Sequence, residues 1–155
     1  MRGGMRIFAQ CSAPPAWMNA STGTIYRDAR DRPQDEDTGE LGSGFSVAVA
    51  RAWEHELWDA PVGVRKVALR MSIVLGAGGA TNPNINLARM GFGGRQGDGG
   101  QVMSWIHIED VYRAVQHIID HSDLSGPINL ASPQPVTNGA FMRGVRRHLG
   151  GPSQI

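Results

Sequence analysis

Residues 64–76 read VRKVALRMSIVLG, a short run rich in β-branched and apolar side chains and closed by glycine. Such a run reads as a buried strand. Upstream, residues 44–58 read as a helix, with Phe45, Val49, Ala52, Trp53 and Glu56 on one stripe and Ala48 and Ala50 as good helix formers. RDARDRPQDEDTGELGS (27–43) carries charge, Gly and Pro without apolar period and reads as a surface loop. PAWMNASTGTI (15–25) reads as a short strand entering a small-polar turn, and RIFAQC near the start as the end of a helix. Downstream come the turn GAGGATN, a helix near 83–90, the glycine loop 91–101 and the strand-like VMSWIHI. Asp110 stands where an N-cap is expected, ahead of Val111, Ala114, Val115, Ile118 and Ile119 at helical spacing. GPINLAS (126–132) reads as a strand, and Thr137 as the cap of a last helix carrying Ala140, Phe141, Val145 and Leu149. Strands alternating with helices predict an α/β fold with a largely parallel sheet. Such sheets bind ligands beyond the carboxyl ends of their strands, which directs attention to the turns after Ala20, Leu75 and Ile108.

Composition narrows the function. The 155 residues are 41% hydrophobic and 19% charged with a net charge of +1, an ordinary globular balance that points away from nucleic-acid and membrane-surface binding. Arg143, Arg146, Arg147 and His148 are expected on a solvated helix face. The single cysteine, Cys11, fits a reducing compartment, and neither a signal peptide nor a membrane-length apolar run is present, so a cytoplasmic location is expected. Lys66 is the only lysine, so chemistry that needs a lysine has one candidate.

GAGGATN supplies Gly76 and Gly78 of a dinucleotide-binding turn but Thr81 at its third position, and Asp98 lies in another glycine loop rather than at a strand end. His117 and His121 form an i, i+4 pair with no Glu between them and no evident third ligand, so they read as a polar helix edge and no metal is expected. Ser21, Thr22, Thr24 and Tyr26 cluster at a predicted strand end. Hydroxyls there can donate to a substrate oxygen and a phenol can move a proton, although polar turns of this kind are also common.

Four segments in one order resemble the extended short-chain dehydrogenases of the NAD-dependent epimerase/dehydratase type. They are ASTGTIY (20–26), FSVAVARAWE (45–54), VALRMSIVLG (67–76) and GDGGQVMSWIHIEDV (97–111). The nearest likeness is to epimerase-family proteins of unassigned substrate, and it covers about 15–150. It implies the C-terminal part of a Rossmann-like parallel sheet with a small α/β substrate-binding subdomain, the first half of the dinucleotide-binding sheet being absent. A division is expected between 1–76, with residual Rossmann-like strands and catalytic helix, and 77–155, with the substrate side and the final strand and helix.

The resemblance implies NAD or NADP as cofactor, a small-molecule substrate and possible homo-oligomers. It implies Thr22 and Tyr26 as catalytic, Ser21, Thr24 and His107 as substrate-binding, and Ser72, Ile73 and Val74 at the nicotinamide end. The family's Tyr-x-x-x-Lys pair is replaced by Phe45 and Val49, neither of which transfers a proton. Tyr26 and Arg30 form a Tyr-x-x-x-Arg, in which Arg30 would support the phenol. Where sugar-nucleotide epimerases place an arginine for the diphosphate, Met103 stands here. The expectation is thus a truncated NAD(P)-dependent epimerase/dehydratase-like protein acting on a sugar-like or small carbonyl/hydroxyl substrate. A non-catalytic ligand-binding protein and a non-functional fragment are the alternatives.

Overall fold

The computed structural model describes residues 16–59, 63–77 and 82–150. Cys11, the RIFAQC segment, and Gly78 and Thr81 of the glycine turn lie outside them. The chain forms two compact units, 1–72 with 112–130, and 73–111 with 131–155. The boundary between the units falls at 72–73, and the third strand of the parallel sheet belongs to the first unit.

The first unit is built on three parallel strands, β1 (Trp17–Thr22), β2 (Lys66–Met71) and β6 (Gly126–Leu130), in the order β1-β2-β6. β2 is central, with Val67 and Ala68 fully buried and Leu69 nearly so. Burying each of its larger side chains contributes about 1.5–3 kcal/mol. A 3₁₀ turn, Gly23–Ile25, follows β1, and helix α1 (Phe45–Trp58) provides the crossover from β1 to β2. The apolar stripe read from the sequence is corrected here. α1 buries Val47, Ala50, Glu54 and Leu57, whereas Phe45 is 85% exposed and Trp53 42% exposed. The helix is turned so that Glu54 meets a partner charge on the sheet.

The second unit holds β3 (Ile73–Leu75), which pairs in parallel with β5 (Trp105–His107), and β4 (Val102–Met103), which pairs antiparallel with β7 (Val136–Thr137). The single strand expected over 64–76 therefore breaks at Ser72, and VMSWIHI breaks at Ser104. The cause is a change of partner. Ser72 gives both its N–H and its hydroxyl to the Leu130 carbonyl, while the Ile73 N–H goes to Ser104. Helices α2 (Asn82–Arg89) and α4 (Asn138–His148) pack together in this unit, and α4 buries Met142. Thr137 caps α4 as expected, its hydroxyl oxygen accepting the Ala140 N–H at 3.2 Å. Arg146 does not face solvent as expected: it is 8% exposed and its guanidinium donates to the Gly93 carbonyl.

Helix α3 (Ile108–Asp120) carries the spacing read for it, but Asp110 lies inside its first turn rather than at the cap. The His107 Nδ1 accepts the Glu109 N–H at 3.3 Å, which caps the helix from the last residue of β5, three positions before Asp110. At the other end the Arg65 guanidinium closes the helix on the carbonyls of Ile118 and Leu124, at 3.0 and 2.8 Å. No described helix is long and apolar enough to cross a membrane.

Candidate active site at the carboxyl end of the parallel sheet

Sheet register aligns three polar residues next to the carboxyl ends of their strands: Ser21 on β1, Arg70 on β2 and Asn129 on β6. Register partners in a parallel sheet project to one face, so the row forms a polar stripe beneath α1. Arg70 is 8% exposed and Glu54 5% exposed. An unpaired charge at that depth costs several kcal/mol, so the two must compensate each other. They do so in fork geometry, with Arg70 Nε donating to Glu54 Oε1 at 2.9 Å and Nη2 to Oε2 at 2.8 Å. The Ser21 hydroxyl donates to Oε1 at 2.7 Å. Burial pushes the Glu54 carboxyl toward a higher pKa, but the bonds from Arg70 and Ser21 and the charge of Arg70 outweigh it and hold the carboxyl below its ordinary value. Glu54 raises Arg70 in return.

The network continues to Tyr26. Arg70 Nη1 donates to the phenol oxygen at 2.8 Å, and the guanidinium carbon stands 5.1 Å from the ring centroid. The phenol donates onward to Asn129 Oδ1 at 3.0 Å, and the Asn129 N–H binds Glu36 of the charged loop at 2.6 Å. The arginine on Tyr26 is thus Arg70, contributed by the sheet, and not Arg30, which lies 4.0 Å from Asp28. The 27–43 segment is a loop as expected, but a cross-linked one: Arg27 binds Asp31 and Glu40 at 2.8 Å each, and Arg32 binds Glu40 at 2.7 Å.

Beside this network lies a pocket of about 540 Å³ whose lining includes Thr24, Tyr26, Ser43 and Ser46. Thr22 ends β1 and caps the 3₁₀ turn, its oxygen accepting the Thr24 N–H at 3.2 Å and lying 3.1 Å from the Thr24 hydroxyl. Ser21, Thr22, Thr24, Tyr26 and Ser72 therefore belong to the first unit, whereas Ile73, Val74 and His107 belong to the second. Ser21 is buried against Glu54, a placement that suits support of the sheet better than contact with a substrate. His117 on α3 and His121 just past its end stand exposed with ring centroids 3.9 Å apart, and no cluster of three or more metal-ligating side chains occurs among the described residues. Sequence reasoning missed Glu54 and Arg70. The signal was available, since an arginine inside an otherwise apolar strand demands a buried partner.

The sequence profile of the NAD dependent epimerase/dehydratase family matches residues 2–131. An epimerase family protein of Mycobacterium bovis is 39% identical over 140 residues, covering 89% of this chain and 46% of that protein. Epimerase family protein SDR39U1 of Bos taurus is 31% identical over 153 residues, 97% of this chain and 52% of that protein. Among solved structures, human epimerase family protein SDR39U1 with NADPH superposes with a TM-score of 0.82 at 26% identity, covering 97% of this chain and 52% of that one. The nucleoside-diphosphate sugar epimerase of Corynebacterium glutamicum gives 0.79 at 29% identity, covering 93% of this chain and 31% of that one. The chain spans about half the length of the curated relatives it matches. With the parallel sheet, the hydroxyl-bearing strand end and this coverage together, the chain belongs to the NAD dependent epimerase/dehydratase family.

Proposed function

We propose that this chain supplies the substrate-facing part of an NAD(P)-linked epimerase or oxidoreductase acting on a sugar-like or small carbonyl/hydroxyl compound. The observation that carries the reading is the Arg70 guanidinium on the Tyr26 phenol, at the rim of a hydroxyl-lined pocket beside the sheet's carboxyl edge. Thr22 and Thr24 hydrogen-bond the substrate oxygen, and Tyr26 gives or takes its proton, a task that Phe45 and Val49 cannot perform. Arg70 keeps its own proton and holds the phenol in place, and Glu54 and Ser21 fix the guanidinium. The family resemblance also assigns His107, a residue of the second unit, to substrate binding.

A nicotinamide, when bound, exchanges a hydride with the substrate carbon. The hydroxyls of Thr24, Tyr26, Ser43 and Ser46 have the donor and acceptor chemistry that a ribose or carboxamide requires, so the residues present fit that end of the cofactor. Ser72, Ile73 and Val74 are assigned to the nicotinamide through backbone contact, since the Ser72 hydroxyl is already engaged by Leu130.

Thermal unfolding of the chain with NAD(H) or NADP(H) tests cofactor binding. Ligand at about 100 times its dissociation constant adds roughly 2.7 kcal/mol to the native state. An unchanged midpoint with both cofactors counts against retention of dinucleotide by this chain. The catalytic assignment fails if Thr22→Ala with Tyr26→Phe leaves turnover of a full-length relative unchanged. A non-catalytic ligand-binding role is the second reading, favoured by the apolar, 85% exposed Phe45 at the position of the family's tyrosine.

A further inference from the structure

The second unit contains a cavity of about 320 Å³, of whose lining the reading above uses only the backbone of Ile73. Its walls come from β3, β4, β5, β7 and α4 through Ile73, Met103, Trp105, Val136, Phe141 and their apolar neighbours, and no lining residue carries a charge. The one strong donor on the wall, the Trp105 indole N–H, is already bonded to the Gln134 carbonyl at 3.0 Å. A phosphate or carboxylate entering here would lose its hydration and find no counter-charge. An uncharged chain would lose nothing and remove apolar surface from water.

One wall of the cavity is open to substitution at an exposed position. Gly144, on the α4 wall, has no atom within 4 Å of where a Cβ would stand. Ile73, Met103, Trp105 and Phe141 are each left only half-buried around the space. A volume of this size falls within the range of small-molecule sites, which are mostly apolar.

We propose that this cavity is a binding site for the aliphatic part of an uncharged small molecule, and that it does not accept a nucleoside diphosphate. The assignment stands on the cavity alone and is independent of the Tyr26 chemistry. The test uses the full 155-residue chain with carbon-13-labelled methionine methyls, the Met103 signal being assigned through Met103→Leu. 1-Decanol is titrated as the probe, with uridine diphosphate in parallel. The expected result is a saturable shift of the Met103 methyl with the alcohol and none with the diphosphate.

Gly144→Leu provides the second arm. It fills open space on an exposed stretch of helix, where leucine is also the better helix former, so the variant is expected to fold at least as well as the parent. Its affinity for 1-decanol is expected to fall at least tenfold. No Met103 shift up to the solubility limit overturns the proposal, as does undiminished binding by Gly144→Leu. A Met103 shift produced by uridine diphosphate overturns it equally.

Discussion

Replacing Glu54 with leucine should be the most damaging conservative-sized change in the first unit. The substitution strands Arg70, whose side chain is 9% exposed, with the Tyr26 phenol as its remaining acceptor among the contacts described above. Breaking a buried ion pair by removing one partner costs about 3–5 kcal/mol. Against a total stability of about 5–15 kcal/mol, that is a large fraction. For a chain of this length each kcal/mol moves the midpoint by about 2–4 °C, so a drop of roughly 6–20 °C is expected. Thermal unfolding by far-ultraviolet circular dichroism, checked by urea titration, measures it.

Removing the buried charges together should have the opposite outcome. Ser21→Ala, Glu54→Leu and Arg70→Met together remove both charges and the hydroxyl that would otherwise lose its acceptor. Tyr26 retains its bond to Asn129, so no buried polar group is orphaned. The triple variant should then recover to within about 1–2 kcal/mol of the parent, because apolar replacement of a buried pair is often close to neutral. Glu54→Leu within about 1 kcal/mol of the parent would refute the reasoning, and so would a triple variant no more stable than Glu54→Leu alone.

Three further outcomes follow from named contacts. The Glu54 carboxyl has a lower pKa folded than unfolded, so its contribution is complete above the ordinary value of 4.5 and is lost as the pH falls through the lower folded value. Urea midpoints should decline on acidification below that range, and more shallowly in the charge-free triple variant, where exposed Asp31, Asp35 and Glu40 still supply some acid sensitivity. Gly44 precedes α1 at φ 104° and ψ −179°, a region essentially reserved for glycine, so Gly44→Ala should cost about 1–3 kcal/mol by urea titration despite open space for its methyl. Thr137→Ala should cost about 1 kcal/mol by removing the α4 cap, whereas Thr137→Ser should cost much less.

What the sequence determined by itself was local. The span of α1, the spacing along α3 and the Thr137 cap are each written within one short segment, and the alternation that makes the sheet parallel is a succession of such segments. Periodicity and capping act at that range, so they are legible before any fold is known. The hydroxyls of Thr22, Thr24 and Tyr26 were legible for the same reason, as a cluster at a strand end.

Tertiary structure decided the rest. Which face of α1 is buried depended on Arg70, 16 positions beyond Glu54 in the chain, and the alignment of Ser21, Arg70 and Asn129 required three strands in register. The break at Ser72 came from a change of strand partner, which no property of VALRMSIVL announces. Arg146 looked like one more solvated cation until α4 brought it to the Gly93 carbonyl. In each case a polar group was buried because a distant segment satisfied it. The energy that decides such a position lies in the pair, and only the fold brings the pair together.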